Sequence, residues 1–145
     1  MNSRMPEHVV QLVSDGLNDA RKAMNGSRIL LLGVAYKKDI DDVRESPALS
    51  IIDRLRSKGC DVRYHDPFVT DVTFDDAHAE GGGEPLSSVA LTEDEISASD
   101  CVVIVTNHSD IDYARVIELA SLVVDTRNAL NGDMRRGSRA RIIRL

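Results

Sequence analysis

The sequence predicts an α/β protein with a doubly wound, mainly parallel sheet preceded by an N-terminal helix. Continuous apolar runs, which suit strands buried on both faces, occur at residues 28–34, 100–106 and 122–125. Segments with apolar residues at helical spacing lie before and between these runs. Alternating strands and helices are typical of a sheet covered on both faces, so we expect a Rossmann-like architecture.

The first predicted helix covers residues 6–24. Its apolar residues recur at helical spacing and form one stripe: Val9, Val13, Leu17, Ala20 and Met24. Gly16 weakens such a helix by about 1 kcal/mol relative to alanine, and Asn25-Gly26 is a stop signal. The stripe packs either on the chain's own core or on a domain or second subunit outside it.

A strand–loop–helix–strand unit follows. After the first strand, residues 35–45 form a polar loop, and Ser46-Pro47 is a favourable start for a helix with apolar spacing at Ala48, Ile51, Ile52 and Leu55. Residues 61–65 alternate between polar and apolar and predict a second strand. Such a unit is right-handed, and its two strands run parallel.

The remaining elements are shorter. Residues 70–85 are acidic and contain three consecutive glycines, so we expect a mobile loop there. Residues 141–145 predict a last edge strand. Capping residues predict two short helices, one after Thr92 with Glu95 and one after Ser109 and Asp112 that ends near Ala120.

Composition excludes several classes of protein. The 145 residues, 15.9 kDa, fit one domain. A net charge of −6, 3% aromatic residues and no tryptophan argue against a nucleic-acid-binding surface. Cys60 and Cys101 have no CxxC spacing, which suits a reducing compartment and offers no zinc site. The longest apolar run, residues 29–35, is too short to span a membrane. No signal-peptide core is present, so we expect a cytoplasmic protein.

Candidate binding residues follow the predicted strands. In doubly wound sheets ligands bind beyond the carboxyl ends of the strands, which here are followed by residues 33–46, 106–110 and 125–128. Neither GxGxxG nor a P-loop is present. An anion could instead be bound by the side chains of Lys37, Lys38, Arg44 and Arg127, and by the amides of Ala48 and Leu49 at a helix start.

Each candidate also has an interpretation without a ligand. Lys37 and Lys38 are equally typical of a solvated loop, and Arg44 of a surface ion pair. Asp39, Asp41 and Asp42 suit turns and caps better than a metal. His108 is favoured as structural or solvated, and Cys101 as core. No metal-ligand spacing and no nucleophile motif occur. The residues alone therefore predict an anion-binding edge and no catalyst.

The segment LGVAYKKDIDDVRESPA, residues 32–48, resembles the C-terminal, UDP-binding domain of the UDP-glucose/GDP-mannose dehydrogenase family. YHDP at residues 64–67, TNH at 106–108 and VDTRN at 124–128 follow in the family's order, and residues 2–10 resemble the helix that enters this domain. The family pattern G-x-A/S-F/Y-K-x4-D-x-R-x-S/A-P is matched by Gly33, Ala35, Tyr36, Lys37, Asp42, Arg44, Ser46 and Pro47.

The resemblance implies NAD-dependent oxidation of the C6 alcohol of a UDP-sugar to a carboxylate, with two NAD per substrate. It implies that Tyr36, Lys37 and Arg127 bind the substrate. Arg44 would reach NAD, which the family holds mainly in a separate N-terminal domain. Neither cysteine matches the family's catalytic cysteine, so we expect no catalytic residue and no metal in this chain, and no turnover by the chain alone.

The resemblance also implies an organisation. Residues 1–25 are expected to continue from a missing central dimerisation region, and residues 26–145 to form the UDP-sugar-binding domain. Expected partners are the other domains of the same enzyme and, at full length, a second copy. The motifs favour UDP-N-acetylglucosamine, with UDP-glucose and UDP-N-acetylmannosamine as alternatives. A stand-alone, non-catalytic UDP-sugar-binding module is the alternative of another class.

Overall fold

The computed structural model describes residues 4–43, 46–74 and 84–145. Its helices are α1 (Met5–Asp19), α2 (Ala48–Ser57), α3 (Glu93–Ala98), α4 (Tyr113–Leu119) and α5 (Gly132–Arg136). Its strands are β1 (Arg28–Leu32), β2 (Asp61–His65), β3 (Asp71–Val72), β4 (Leu86–Ser87), β5 (Cys101–Ile104), β6 (Leu122–Asp125) and β7 (Arg141–Arg144).

The main sheet has the strand order β2-β1-β5-β6-β7, and each pair of neighbours is parallel. From β1 the chain crosses to β2 on one side, and from β5 onward it proceeds to the other side. The strand order therefore reverses between β1 and β5. In doubly wound sheets this reversal opens a crevice beyond the carboxyl ends of the two strands. The predicted mainly parallel α/β class is confirmed.

Both faces of the sheet are covered. In β1, Ile29 and Leu31 belong to the core shared with α1 and α2, whereas Leu30 and Leu32 belong to the core shared with α3 and α4. All four side chains have 0% exposure. The continuous apolar run therefore arises because successive side chains of this strand enter two different cores.

Helix α1 is shorter than predicted, since it ends at Asp19 and not at Met24. Arg21 adopts a positive φ of 63°, a conformation that cannot continue a helix. Val9, Val13 and Leu17 are buried and pack in the core with α2. Gly16 lets the helix approach β6, because a Cβ there would lie 2.8 Å from Cδ2 of Leu122. These three residues of the predicted stripe thus pack on the chain's own core, whereas Ala20 is exposed.

Two of the three predicted capping residues of the short helices are confirmed, whereas Ser109 bonds the carboxylate of Asp39 and the helix begins after Asp112. Thr92 accepts a hydrogen bond from the amide of Glu95 at 3.1 Å, and Asp112 accepts one from the amide of Arg115 at 3.2 Å. The predicted edge strand is also present as β7. Within the described ranges, no helix is long and apolar enough to cross a bilayer.

Three elements were not predicted. Strand β3 lies near the start of the segment interpreted as a mobile loop, and it pairs antiparallel with β4, which directly follows that segment. The loop interpretation is wrong for β3, because two-residue strands are too short to show an alternating pattern. Residues 75–83, in the middle of that segment, lie outside the described residues. Helix α5 begins after Asn131, whose side chain accepts a hydrogen bond from the amide of Met134 at 2.8 Å.

Candidate functional site

The three polar segments predicted to meet follow β1, β5 and β6, which are neighbours in the sheet. Leu32 at the end of β1 is in register with His65 and Ile104, and Ile104 is in register with Asp125. The strands therefore end at one edge, which we call the carboxyl edge. The segments that follow them start side by side there.

The segments after β1 and β5 are in direct contact. Gly33 has a φ of +87°, and a Cβ on this residue would lie 2.5 Å from the carbonyl oxygen of Thr106. The hydroxyl of Thr106 donates a hydrogen bond to the carbonyl oxygen of Ala35 at 2.5 Å. A glycine at position 33 thus lets the two segments cross at the point where the strand order reverses.

Asp66, which follows β2, organises the backbone of two segments. Its buried carboxylate accepts hydrogen bonds at Oδ2 from the amides of Val34 and Ala35, at 2.8 and 3.2 Å. At Oδ1 it accepts hydrogen bonds from the amides of Phe68 and Val69, at 2.8 and 3.2 Å. Asp66 was not singled out from the sequence as an organising residue. Its sole signal was its place in the YHDP motif.

His108, which follows β5, is fully buried, and both of its ring nitrogens form hydrogen bonds. Nδ1 lies 2.7 Å from the amide nitrogen of Asp39, and Nε2 lies 2.9 Å from Oδ2 of Asp66. Because the amide of Asp39 must donate, Nδ1 carries no proton, and the neutral ring donates from Nε2 to the carboxylate. The Phe68 ring packs against it at 4.9 Å between centroids. This geometry agrees with the favoured structural role.

Asp39 links the segment after β1 to the segment after β5. Its carboxylate accepts hydrogen bonds from the amide and the hydroxyl of Ser109, at 2.8 and 2.7 Å. These two bonds hold the pKa of the Asp39 carboxyl below its usual range. Its φ of 63° is one that aspartate tolerates better than most residues. The turn-and-cap interpretation of Asp39 fits these contacts.

Tyr36 and Lys37 lie between these anchored positions. Tyr36 is 40% exposed, and the ammonium nitrogen of Lys37 lies 5.6 Å from the centroid of its ring. The amide of Tyr36 donates to the carbonyl oxygen of Asp42 at 2.6 Å, which closes the loop on itself. The backbone is thereby fixed while the side chains of Tyr36, Lys37 and Lys38 face solvent.

Arg127 is exposed in the segment after β6, whose backbone is organised by Asp125. The buried carboxylate of Asp125 accepts hydrogen bonds from the amides of Arg127, Ala129 and Leu130, each at 3.1 Å. The cleft beside it has a volume of about 440 Å³ and is lined by Asn107, Asp125, Thr126, Arg127, Asn128, Arg144 and Leu145. The sequence interpretation did not include Arg144, which donates a hydrogen bond to the Asn128 side chain.

The structure brings the predicted substrate-binding residues to one edge but not into one cleft. Tyr36 and Lys37 are not among the residues that line the cleft around Arg127. Strand β5 separates β1, which precedes Tyr36, from β6, which precedes Arg127. A ligand that touched all three would therefore have to extend across the end of β5. The arrangement thus suits an extended ligand better than a compact one.

Arg44 and the amide of Ala48 are two further groups that were predicted to bind an anion. Arg44 lies outside the described residues. The amide of Ala48 was expected to face an anion, but it donates to the hydroxyl of Ser46 at 3.1 Å. That expectation is wrong for Ala48, because Ser46 provides the acceptor within the chain. Within the described ranges, no group of three or more His, Cys, Asp or Glu residues is placed to hold a metal ion.

Neither cysteine is placed as a nucleophile. Cys101 is 1% exposed in β5, and burial raises the pKa of its thiol. Cys60 is also buried, and burial raises the pKa of its thiol to about 11. Because the thiolate is the reactive form, both groups are inert at neutral pH. The interpretation of Cys101 as a core residue is confirmed.

Comparisons with known proteins agree with this architecture. Residues 30–132 match the model of the UDP-glucose/GDP-mannose dehydrogenase family, UDP binding domain. The chain is 28% identical over 142 residues to a UDP-N-acetyl-D-mannosamine dehydrogenase of Methanococcus vannielii, covering 92% of this chain and 30% of that one. It is 29% identical to a UDP-glucose 6-dehydrogenase of Rickettsia bellii, covering 91% of this chain. The chain thus spans about 30% of the length of these relatives.

The comparison with solved structures also finds a nucleotide-sugar dehydrogenase. An NDP-N-acetyl-D-galactosaminuronic acid dehydrogenase of Methanosarcina mazei superposes with a TM-score of 0.75 at 26% identity. The match covers 99% of this chain and 29% of that one. It includes the five-stranded sheet and the segments at its carboxyl edge.

Proposed function

The chain belongs to the UDP-glucose/GDP-mannose dehydrogenase family, and we propose that it binds the UDP part of the substrate of a nucleotide-sugar 6-dehydrogenase. One observation carries the proposal. The family's UDP binding domain matches residues 30–132, a range that contains all three segments at the carboxyl edge. The proposed activity of the whole protein is NAD-dependent oxidation of the C6 alcohol of a UDP-sugar to a carboxylate.

In this proposal Lys37 and Arg127 bind the diphosphate, and Tyr36 contacts the nucleotide sugar. Both cations are exposed, and each follows a segment whose backbone is bonded to a buried carboxylate, Asp66 or Asp125. A guanidinium can bind two phosphate oxygens at once, whereas an ammonium acts as a point charge. Fixed backbones reduce the entropy that ordering these side chains would cost on binding.

The nucleotide lies far from the reacting carbon of a UDP-sugar, so its role is to supply binding energy. Energy gained at a remote part of the substrate can position the reacting part against a catalytic group. This division of labour fits a chain with an anion-binding edge and two buried, protonated thiols. It also predicts that the chemistry depends on residues outside the 145 of this chain.

NAD binding is proposed to involve Arg44, with most of the cofactor held elsewhere in the protein. The residues of this chain do not fit a complete dinucleotide site, because the first strand is followed by a single glycine, Gly33, and not by GxGxxG. NAD would supply the hydride acceptor. The part of this chain would be limited to one charged contact from the segment after β1.

The sugar is proposed to be an N-acetylated hexosamine. The motifs favour UDP-N-acetylglucosamine, and several relatives bear the name UDP-N-acetyl-D-mannosamine dehydrogenase, which supports the manno alternative. The relative from Rickettsia bellii, named a UDP-glucose 6-dehydrogenase, supports the third candidate. NADH production by the protein from its complete coding sequence, measured with each of the three UDP-sugars, would identify the substrate.

A stand-alone UDP-sugar-binding module is the second candidate. The buried thiols of Cys60 and Cys101 are as compatible with this candidate as with the first, because among the described residues neither cysteine is placed as a nucleophile. The coding sequence upstream of residue 1 distinguishes the two candidates. A dinucleotide-binding domain and a cysteine motif there support the dehydrogenase, in which homodimerisation is also proposed. Their absence supports the module.

Nucleotide selectivity tests both candidates. Calorimetric titration of the chain with UDP, and separately with ADP, measures whether the carboxyl edge distinguishes a pyrimidine from a purine nucleotide. We expect saturable binding of UDP and much weaker binding of ADP. No heat with UDP, or equal affinity for the two nucleotides, would contradict a UDP-binding function.

A further inference from the structure

We propose that His108 is a positioning residue for the UDP site: it holds the segment that carries Tyr36 and Lys37 by accepting a hydrogen bond from the amide of Asp39. This inference rests on the proposed function. The side chain of His108 is fully buried and does not line the cleft around Arg127. It therefore acts through the backbone of the segment after β1 and not by touching the nucleotide.

The segment is bonded on both sides of its exposed residues. Before Tyr36, the amides of Val34 and Ala35 donate to Oδ2 of Asp66. After Lys38, the amide of Asp39 donates to Nδ1 of His108 at 2.7 Å. Because Nε2 of His108 lies 2.9 Å from the same Oδ2 atom, both anchors meet at one carboxylate oxygen.

The carboxylate determines which nitrogen of His108 can accept. Oδ2 of Asp66 accepts a hydrogen bond from the proton on Nε2, which leaves the lone pair of Nδ1 directed at the amide of Asp39. Asp39 in turn bonds Ser109, the residue after His108, through its side chain. The two segments are therefore joined by the histidine in one direction and by Asp39 in the other. Loss of the Nδ1 bond should release the backbone next to Lys37 and Lys38.

Two substitutions separate the two bonds of the ring. In His108→Asn, the side-chain oxygen can take the place of Nδ1 and accept from Asp39, but the side chain is too short to reach Asp66. In His108→Gln, the side-chain amide can take the place of Nε2 and donate to Asp66, but no acceptor faces Asp39. Each variant removes one buried hydrogen bond. The bond to the charged Asp66 that His108→Asn loses is worth at least as much as the neutral bond that His108→Gln loses, so a larger loss of UDP affinity in His108→Gln would not follow from stability alone.

The test is UDP affinity by calorimetry together with hydrogen exchange of the Asp39 amide by NMR. We expect His108→Asn to bind UDP within about twofold of the unmodified chain. His108→Gln should bind roughly tenfold more weakly, the equivalent of one lost hydrogen bond. The Asp39 amide should exchange faster in His108→Gln than in His108→Asn. A merely structural histidine would weaken both variants alike, and that result, or normal binding by both, would overturn the proposal.

Two further measurements distinguish a failure of this inference from a failure of the proposed function. If the unmodified chain does not bind UDP, the proposed function fails, and the exchange rate of Asp39 in the two variants still decides whether His108 holds the segment. The nitrogen NMR spectrum of the unmodified His108 ring needs no variant. It should show a proton on Nε2 and none on Nδ1, and a proton on Nδ1 at neutral pH would overturn the inference.

Discussion

Gly33 lies so close to Thr106 that a Cβ atom on the glycine would be 2.5 Å from the threonine's carbonyl oxygen. The contact joins the ends of β1 and β5, where the strand order of the sheet reverses. A side chain there would push against backbone, which cannot rotate away. The close approach of these two segments sets the geometry of the carboxyl edge.

Gly33→Ala should therefore lower the free energy of unfolding by about 2–5 kcal/mol, the combined cost of a left-handed alanine and of steric overlap. Gly26→Ala is a matched control. Gly26 has a φ of +88°, almost equal to that of Gly33, but a Cβ there meets nothing within 4 Å. The control should lose only about 1–2 kcal/mol.

Urea denaturation of both variants measures the difference. Because the φ angles match, the excess loss in Gly33→Ala reports the contact with Thr106. Equal losses in the two variants would mean that the ends of β1 and β5 do not approach as closely as described.

Asp125→Asn should destabilise the chain by about 1–3 kcal/mol, because an amide group replaces one of two oxygens that accept backbone hydrogen bonds. Three amides in the segment that carries Arg127 donate to this carboxylate. Asp110→Asn, at an exposed position, makes the same chemical change and should alter the stability by less than about 0.5 kcal/mol. Thermal denaturation compares the two, and a stable Asp125→Asn variant would contradict the organising role of Asp125.

The thiols of Cys60 and Cys101 should resist alkylation in the folded chain. Both are buried, and the pKa of Cys60 is raised to about 11, so the thiolate population is very small at pH 8. Iodoacetamide labelling followed by mass spectrometry should give no adduct in buffer and two adducts in guanidinium chloride. Rapid labelling of either cysteine in the folded chain would show that it is accessible and reactive.

The 145-residue chain should produce no NADH when it is supplied with NAD and a UDP-sugar. Its thiols are protonated and buried, and its sequence lacks the glycine motif that binds dinucleotides. The assay follows absorbance of NADH with UDP-N-acetylglucosamine, UDP-N-acetylmannosamine and UDP-glucose in turn. A robust rate with any of them would contradict the assignment of this chain as a binding part without catalytic residues.

The inner strands β1, β5 and β6 were predictable from sequence because they are short, continuous apolar runs, and β2 was predictable because polar and apolar residues alternate along it. Successive side chains of β1, and likewise of β5, enter both cores, so no polar residue separates the apolar residues of either strand. The ends of elements were less predictable. Helix α1 stops at Asp19 although apolar spacing continues to Met24, because the backbone at Arg21 turns into a left-handed conformation. Strands β3 and β4 are held by tertiary context, and two residues carry no periodic signal.

The candidate site was predictable only in part. Exposed cations after strands pointed to the carboxyl edge, and Lys37 and Arg127 do lie there. The bonds that organise the edge were not predictable, because they join distant residues. Asp66 bonds Val34 from 32 positions away, and His108 bonds Asp39 from 69 positions away. Such contacts depend on strand order, which no local pattern of residues specifies.

In the proposed function, the carboxyl edge binds UDP through Lys37 and Arg127. Calorimetric titration of UDP into Lys37→Ala, Arg127→Ala and Lys58→Ala tests it most directly. Lys58 is exposed just after α2, on the approach to the amino end of β2. The substitution Lys58→Ala removes the same positive charge as Lys37→Ala. Lys58→Ala should bind UDP like the unmodified chain. Each of the other two should bind roughly 10- to 100-fold more weakly, as expected for a lost charge-assisted bond. Unchanged UDP affinity in both Lys37→Ala and Arg127→Ala would contradict the account.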